Sequence, residues 1–231
     1  MSRFAKTHFK IINSTSTYAK ENASLLDLPA LITADEQTSG RGRRGNSFYS
    51  PKDTGLYMTL LIPAPTNCEL LTPAAAVAVC KELEKLGAEP KIKWVNDVFV
   101  SGKKVCGILT ELFEKDGRYY VAIGIGINLT TADFPSELTS AGSVGIECIK
   151  AELSEKIAES IVDYVNKPNP QNIIDEYRNR LFIIGKNITY WKNNIEFSAV
   201  AVGINESCNL IVKLSDGSTD VLSSGEISIK F

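Results

Sequence analysis

The spacing of apolar residues along the chain predicts where its helices and strands lie. Apolar residues at three-residue steps between positions 77 and 86 mark the buried stripe of the clearest helix. Thr72 suits its N-cap, Pro73 its first helical position and Gly87 the position just past its end. The other predicted helices span residues 14–27, 151–166 and 171–182.

Shorter apolar runs predict strands. They span residues 30–34, 55–62, 92–94, 98–100, 105–113, 119–127, 188–191, 197–202, 210–214 and 227–231. Turn-forming residues separate many of them, namely Asn96-Asp97, Ser101-Gly102, Asp116-Gly117, Asn193-Asn194 and Asp216-Gly217. Such short spacings require antiparallel hairpins rather than crossover helices. We therefore expect an α+β fold, divided into residues 1–183 and a small all-β barrel at 184–231.

Composition excludes several classes of protein. The 231 residues carry a net charge of -2, which argues against a general nucleic-acid binder. The five cysteines form no CxxC pair and indicate reduced thiols, so we expect a cytoplasmic protein. The single histidine, His8, argues against a histidine-rich metal site or a Ser-His-Asp triad. The chain has no run of 18 apolar residues, and we expect no membrane insertion.

A loop of alternating glycine and arginine is the strongest local signal. Residues 40–45 read GRGRRG and match the GxGxxG pattern of dinucleotide-binding proteins. The following residues, 46–51, are a poor helix start, which argues against that interpretation. A nucleic-acid patch and a solvated loop are further alternatives. Glycines that expose N–H groups and arginines that match carboxylate or phosphate favour a loop that closes over an anion.

Two further segments carry candidate chemistry. Residues 91–97 and 101–109 place lysines close in sequence to Asp97, which would suit nucleotide phosphates and a magnesium ion, although a lysine-bearing hairpin is the simpler interpretation. Gly124 and Gly126 lie on the same face of a predicted strand and leave that face open to a flat group. A bulged strand packed on a helix explains these two glycines equally well.

Together these segments resemble the biotin–protein ligase family. The motifs are Ser14-Thr15-Ser16, the 40–45 loop, residues 93–98 (KWVNDV), residues 104–109 (KVCGIL), residues 124–128 (GIGIN) and residues 224–228. The resemblance implies a mixed, largely antiparallel sheet with flanking helices and a C-terminal SH3-like β-barrel. Because the catalytic motifs begin at Ser14, it also implies a monofunctional ligase without the DNA-binding domain of some members.

The resemblance assigns roles residue by residue. Lys104, Arg41 and Arg43 would be the catalytic cations. Biotin would contact Ser14, Thr15, Ser16, Gln37, Gly40, Arg41, Lys104, Gly107 and Gly124. ATP and the adenylate would contact Arg43, Arg44, Phe48, Asn96, Asp97, Gly126 and Asn128, with Asp97 also a candidate Mg²⁺ ligand. Ser16 replaces the usual Asn, Phe48 a frequent Trp and Val95 a Pro.

The implied reaction uses ATP to convert biotin to biotinyl-5′-AMP and then transfers the biotinyl group to a lysine of a biotin carboxyl carrier protein domain. Both reacting groups in the first step are anions, so cations matter more than a general base. Mg²⁺ is the expected cofactor, and a homodimer is possible. The alternatives are a lipoate–protein ligase, a catalytically silent biotin-binding module and a nucleic-acid binder.

Overall fold

The structure is a computed structural model that describes residues 3–192, 195–225 and 227–229. Its four helices are α1 (Thr15–Glu21), α2 (Leu71–Lys85), α3 (Lys150–Asn166) and α4 (Pro170–Arg180). Its strands are β1 (Ala5–Ile12), β2 (Ala30–Gln37), β3 (Gly55–Pro63), β4 (Lys91–Lys93), β5 (Asp97–Val100), β6 (Lys103–Lys115), β7 (Arg118–Asn128), β8 (Asn187–Lys192), β9 (Ile195–Ile204), β10 (Leu210–Lys213), β11 (Thr219–Leu222) and β12 (Ile227–Ile229).

Seven strands form the main sheet, in the order β1-β2-β3-β7-β6-β5-β4. All neighbours are antiparallel except β1 and β2, which are parallel and are connected through α1. The expectation that hairpins alone pair the strands was therefore wrong at this edge. Strand β1 was not predicted, because its apolar residues are interrupted by lysines and a histidine that face solvent.

The centre of the sheet is built from long antiparallel pairs. Strand β3 pairs with β7 over nine residues and β6 with β7 over ten. The predicted turns at Ser101-Gly102 and Asp116-Gly117 are present, and both residues of each turn have positive φ, between 50° and 76°. This conformation belongs to the tight hairpin turns that asparagine, aspartate and glycine favour. The hairpins hold β5, β6 and β7 in a fixed register beside one another.

Helix α2 packs on one face of this sheet, together with α3 and α4. Its residues from Pro73 to Cys80 are all buried. Thr72 is not the N-cap, contrary to the prediction, since its hydroxyl instead donates to Thr110 Oγ1 at 2.9 Å. Gly87 follows the helix end with a φ of +90°, as predicted. Helix α2 thus covers the side of β6 opposite to the one on which α1 lies.

Helix α1 is shorter than predicted and ends at Glu21 rather than Asp27. Asn22 is its C-cap, with φ and ψ of -107° and 11°, and its Nδ2 donates to the Tyr18 carbonyl at 2.9 Å beside the last helical N–H bond, at 3.1 Å. Ser14 caps the other end, and its Oγ accepts from the Thr17 N–H at 3.3 Å. The cap places the first turn of α1 against the sheet.

The C-terminal strands form a five-stranded antiparallel sheet in the order β11-β10-β9-β8-β12. The Tyr190 and Phe197 rings stack at 5.4 Å inside it. Trp94 of the main domain donates from Nε1 to the Cys208 carbonyl at 2.9 Å and ties the two sheets together. The predicted Asn193-Asn194 turn lies outside the described residues. The α+β class with a C-terminal β-domain is confirmed, whereas the boundary at residues 183 and 184 stays a prediction.

Candidate active site

A cavity of about 650 Å³ opens on the α1 side of the main sheet. The 38–50 loop, the β4–β5 turn, the start of β6 and the C-terminal residues near Gly225 surround it. Most of the predicted site residues line it, namely Ser14, Thr15, Ser16, Gln37, Arg41, Arg43, Phe48, Asn96, Asp97, Lys104, Gly107, Gly124 and Gly126. The fold therefore brings together residues that lie more than a hundred positions apart.

One end of the cavity is a cluster of hydroxyl and amide groups. Thr15 donates from its N–H and its hydroxyl to Gln37 Oε1, at 2.9 and 3.1 Å. The Thr59 hydroxyl lies between Thr15 Oγ1 at 2.9 Å and Ser16 Oγ at 3.0 Å. Thr59 is fully buried on the central strand β3. Buried polar groups of this kind orient one another and suit a ligand with its own donors and acceptors.

The floor of the cavity is formed by glycines on β6 and β7. Gly107 and Gly126 are direct partners across the two strands. The Phe48 ring lies over both, and an added Cβ would lie 2.4 Å from the ring at Gly126 and 3.2 Å at Gly107. Gly124 makes room for Ser16, whose Oγ would be 2.6 Å from such a Cβ. The flat group predicted on this face is, in this structure, the protein's own Phe48.

Gly40 is outside the cavity lining, but it allows the loop to fold over the site. An added Cβ at Gly40 would meet the Phe48 carbonyl at 2.3 Å and Ser50 Oγ at 2.7 Å. The Gly40 carbonyl accepts from the Phe48 N–H at 2.9 Å. Ser50 Oγ donates to the Phe48 carbonyl at 3.0 Å and accepts from Gln37 Nε2 at the same distance. The loop is thereby linked to the hydroxyl cluster.

Cations predominate around the cavity, although the whole chain is acidic. Among the described residues that line it, Arg41, Arg43, Lys93, Lys104 and Lys186 are cationic and Asp97 is the one carboxylate. Arg43 Nη1 donates to Asn96 Oδ1 at 2.9 Å and to the Gly225 carbonyl at 3.4 Å. Lys104 Nζ lies 2.7 Å from Asp97 Oδ1. This charge distribution suits a ligand with several negative charges.

Arg41 lines the cavity, but its guanidinium is paired with a carboxylate that lies outside the lining. Its Nη1 and Nη2 donate to both carboxylate oxygens of Glu111 on β6, at 3.3 and 3.1 Å. Lys20 on α1 donates to the same carboxylate, with Nζ 2.8 Å from Oε1. Glu111 therefore joins the helix, the sheet and the glycine–arginine loop at the rim of the cavity. Neither Glu111 nor Lys20 was predicted as a site residue.

The described residues contain no group of three or more His, Cys, Asp or Glu side chains that could hold a metal ion. Asp97 Oδ1 is buried and, apart from its ion pair with Lys104, accepts no hydrogen bond of good geometry. One carboxylate cannot form a complete cage, but magnesium bound to a nucleotide commonly uses one or two carboxylates together with phosphate oxygens and water. The donor set therefore fits Mg²⁺ that arrives with phosphate ligands, and Asp97 is the residue that would hold it.

Two other predicted site residues do not line the cavity. Arg44 is exposed, with a φ of 54° at the tip of the loop. Asn128 is 5% exposed, and its Nδ2 donates to the Gly142 carbonyl at 3.1 Å. Asn128 thus anchors the 138–145 segment, whose Ser140 carbonyl accepts from the Lys104 N–H at 2.8 Å. Asn128 therefore supports the backbone around Lys104 and is not part of the cavity surface.

Several lining residues were missed by the sequence analysis. Lys186, Gly225, Ile227 and Ser228 reach the cavity from the C-terminal part of the chain. Two residues behind the lining, Thr59 and Ser50, were also missed. The sequence signal for Thr59 is a single hydroxyl within the apolar run of β3, and for Ser50 a serine just before Pro51. Phe99, Phe182 and Ser140 also line the cavity without forming a recognisable motif.

Burial suppresses ionisation of Tyr57 on β3 and Cys106 on β6. It raises the pKa of Tyr57 to about 12, and the neutral hydroxyl donates to the Pro51 carbonyl at 2.9 Å. Burial also raises the pKa of Cys106 well above its usual value. Cys106 lies between Val105 and Gly107 on β6 but stays a protonated thiol at neutral pH, so it is a poor nucleophile. The chemistry of the site rests on cations and hydrogen-bond donors.

Comparison with known proteins agrees with this geometry. A solved biotin protein ligase from Aquifex aeolicus, in complex with biotin and ATP, superposes with a TM-score of 0.82, covers 98% of each chain and is 24% identical, which supports the fold. The bifunctional ligase/repressor BirA of Bacillus spizizenii is 42% identical over 55% of this chain and 42% of its own length. A biotin–[acetyl-CoA-carboxylase] ligase of Mycobacterium tuberculosis is 27% identical over 85% of this chain and 77% of its own length.

The chain spans less than half the length of the bifunctional Bacillus relatives. Two family models match it. The biotin protein ligase C-terminal domain covers residues 183–230. The biotin/lipoate A/B protein ligase family covers residues 8–128, which include the hydroxyl cluster, the glycine–arginine loop and the glycine floor. On this match, the chain belongs to the biotin/lipoate A/B protein ligase family.

Proposed function

We propose that this protein activates biotin with ATP to biotinyl-5′-AMP and transfers the biotinyl group to a specific lysine of a biotin carrier protein domain of the acetyl-CoA carboxylase type. The observation that carries the proposal is a cation-rich cavity with a buried hydroxyl and amide cluster at one end. The relatives named for biotin ligation and the superposable structure that holds biotin and ATP support it.

The hydroxyl cluster supports biotin over lipoate as the acid. The ureido ring of biotin carries two N–H donors and a carbonyl acceptor, whereas the dithiolane ring of lipoate has none of these groups. Thr15, Ser16 and Thr59 are each less than 10% exposed, and they hydrogen-bond to one another and to Gln37. The ureido ring can use the remaining hydrogen-bonding capacity of these groups, whereas the dithiolane ring would lie against them without forming any hydrogen bond, so we expect the cluster to favour biotin.

The cations explain how two anions react. The carboxylate oxygen of biotin attacks the α-phosphorus of ATP, the acyl–phosphate bond forms, and pyrophosphate leaves. Lys104, Arg41 and Arg43 hold the carboxylate and the phosphates together and offset their repulsion. Mg²⁺ held by Asp97 would stabilise charge on the phosphates. The amine of the carrier lysine then attacks the acyl carbon, and AMP leaves.

The wall of the nucleotide half is aromatic and glycine-lined. Phe48 rests on the Gly107–Gly126 pair and offers a flat apolar surface beside Arg43 and Asn96. A purine can stack on such a ring at centroid distances of about 4.5–7 Å. Phenylalanine gives a smaller stacking surface than the tryptophan of many relatives, so we expect weaker but still productive nucleotide binding.

The test is biotin-dependent pyrophosphate release from MgATP without an acceptor protein. Wild-type chain should release pyrophosphate only with biotin, and Lys104→Ala should lose this activity by several orders of magnitude while biotin still binds. Lys103→Ala is the matched control, because Lys103 Nζ is held away from the cavity by the Thr139 carbonyl at 2.9 Å. Pyrophosphate release with lipoate but not with biotin would show that lipoate is the substrate. No pyrophosphate release with either acid would favour a catalytically silent binding module.

Two further expectations belong to this proposal. All five cysteines are free thiols, which supports a cytoplasmic setting. Within the described residues, no helix is both long and apolar enough to cross a membrane. A homodimer stays a prediction, with β1 and β4 as the edge strands of the main sheet.

A further inference from the structure

We propose that Lys20 and Glu111 are positioning residues that control the release of Arg41 to the anionic ligand. Arg41, Glu111 and Lys20 form what we call the rim cluster. Glu111 binds the Arg41 guanidinium through both carboxylate oxygens and the Lys20 ammonium through Oε1. The role of Arg41 toward the biotin carboxylate or the adenylate rests on the proposed function, whereas the behaviour of the cluster itself does not.

Glu111 engages the fork that the two terminal nitrogens of the Arg41 guanidinium form, which leaves fewer of its five N–H donors for a ligand. A carboxylate or phosphate in the cavity competes with Glu111 for the same donors, because all three groups match the guanidinium fork. The side chain of Arg41 is 39% exposed and that of Glu111 22% exposed, so their pairing is weak enough to exchange. The structure thus records Arg41 bound to an internal competitor of the ligand.

Lys20 makes this exchange easier in two ways. Its Nζ shares Oε1 with Arg41, at 2.8 and 3.1 Å respectively, so each cation weakens the hold of the carboxylate on the other. When Arg41 leaves, Lys20 stays and keeps Glu111 neutralised. Without Lys20, the departure of Arg41 would leave an unpaired, partly exposed carboxylate at the rim, where it would repel the incoming anion.

The backbone of Arg41 and that of Glu111 are both held in place, so only the side chain of Arg41 has to move. Arg41 is bridged to Ser47, and the Gly42 N–H donates to the Asn46 carbonyl at 2.7 Å, which closes the loop into a small hairpin. Glu111 lies within the ten-residue ladder between β6 and β7. The exchange therefore requires a side-chain rotation of Arg41 rather than a rearrangement of the loop or the sheet.

The first test follows the cluster without any substrate. A small dicarbonyl reagent modifies guanidinium groups, and peptide mass spectrometry gives the rate at Arg41, with Arg180 as the internal reference. Glu111→Gln should raise the Arg41 rate about fivefold, and Lys20→Met should lower it about two- to fivefold, as expected for exposed ion pairs. Lys20→Arg should behave as wild type. Lys6→Met, which removes a pair with Glu155 at 2.6 Å, should leave Arg41 unchanged.

The decisive comparison is Lys20→Met in the Glu111→Gln background, where it should have no effect on the Arg41 rate. An equal effect in both backgrounds, or no effect of either single change, would overturn the proposal. The second test uses pyrophosphate release: Lys20→Met should raise the KM for biotin about fivefold and leave kcat within about twofold. A wild-type chain without biotin-dependent release, but with the expected modification rates, would refute the proposed function and leave the control of Arg41 by Lys20 and Glu111 standing.

Discussion

Gly126 gives the sharpest test of the glycine floor. Changing it to alanine would place a Cβ 2.4 Å from the Phe48 ring, and the three nearest heavy atoms all belong to that ring. Real Cβ atoms do not approach so closely, so the ring must leave its place over the floor. Because Gly126 has an ordinary strand conformation, the substitution carries no backbone strain of its own.

The magnitude follows from two opposing contributions. Overpacking at a well-packed site costs about 1–3 kcal/mol, whereas alanine in a strand is more stable than glycine by about 0.5–1 kcal/mol. Gly126→Ala should therefore lower the free energy of unfolding by about 0.5–2 kcal/mol in the wild-type background. In the Phe48→Ala background the clash is absent, and the same change should be neutral or slightly stabilising. The two residues should thus be coupled by about 1–3 kcal/mol.

The assay is urea denaturation of the wild type and the three variants of this cycle, with the KM for ATP measured in parallel. Gly124→Ala is the matched control, because its Cβ would meet Ser16 Oγ rather than Phe48, and Phe48→Ala should not relieve its cost. Gly126→Ala should also raise the KM for ATP more than the KM for biotin. An equal stability cost of Gly126→Ala in both Phe48 backgrounds would refute the placement of the ring on this glycine.

Three other predictions follow from single buried groups. Thr59→Val keeps the shape but removes the hydroxyl shared by Thr15 and Ser16, so the KM for biotin should rise about tenfold and the KM for ATP little, measured by pyrophosphate release. Burial raises the pKa of Cys80 to about 12 and that of Cys106 well above normal, so a thiol reagent at pH 8 should label the partly exposed Cys68 and Cys148 first. Burial raises the pKa of Tyr57 to about 12, so Tyr57 keeps its proton in the native state up to about that pH, whereas an unfolded tyrosine loses it near pH 10. The free energy of unfolding, measured by urea titration, should therefore fall between about pH 10 and 12. Tyr57→Phe should reduce that fall.

Local patterns predicted the parts of the fold that depend on neighbouring residues. The Ser101-Gly102 and Asp116-Gly117 turns were predicted because two residues of positive φ are needed between antiparallel strands, and few residue types adopt it. The parallel β1–β2 pair was missed, since parallel pairing depends on a crossover and leaves no turn signal between the strands. Thr72 was assigned wrongly because a hydroxyl near a helix start can also bond across to a strand, as it does to Thr110.

The same distinction between local patterns and long-range packing applies to the residues of the site. The glycine–arginine loop and Lys104 were predicted because their residue types carry the chemistry within one short segment. Lys186 and Gly225 could not be predicted as site residues, although Gly225 belongs to the 224–228 motif, because they reach the cavity only through the packing of the C-terminal sheet on the main domain. Glu111 was also missed, because a single acid in an apolar strand has no distinguishing neighbours in sequence; its importance arises from Lys20 and Arg41, which lie 91 and 70 positions away.

A chain of hydrogen bonds connects the two ends of the cavity. Thr15 bonds Gln37, Gln37 Nε2 donates to Ser50 Oγ, and Ser50 Oγ donates to the carbonyl of Phe48. A ligand that orders the hydroxyl cluster therefore also orders Phe48. The protein then loses less conformational entropy when the second ligand binds. Coupling of this kind is reciprocal, so each substrate should improve the affinity of the other by the same factor. Ser50, although it lies outside the cavity lining, is the residue that joins the two ends of this hydrogen-bonded chain.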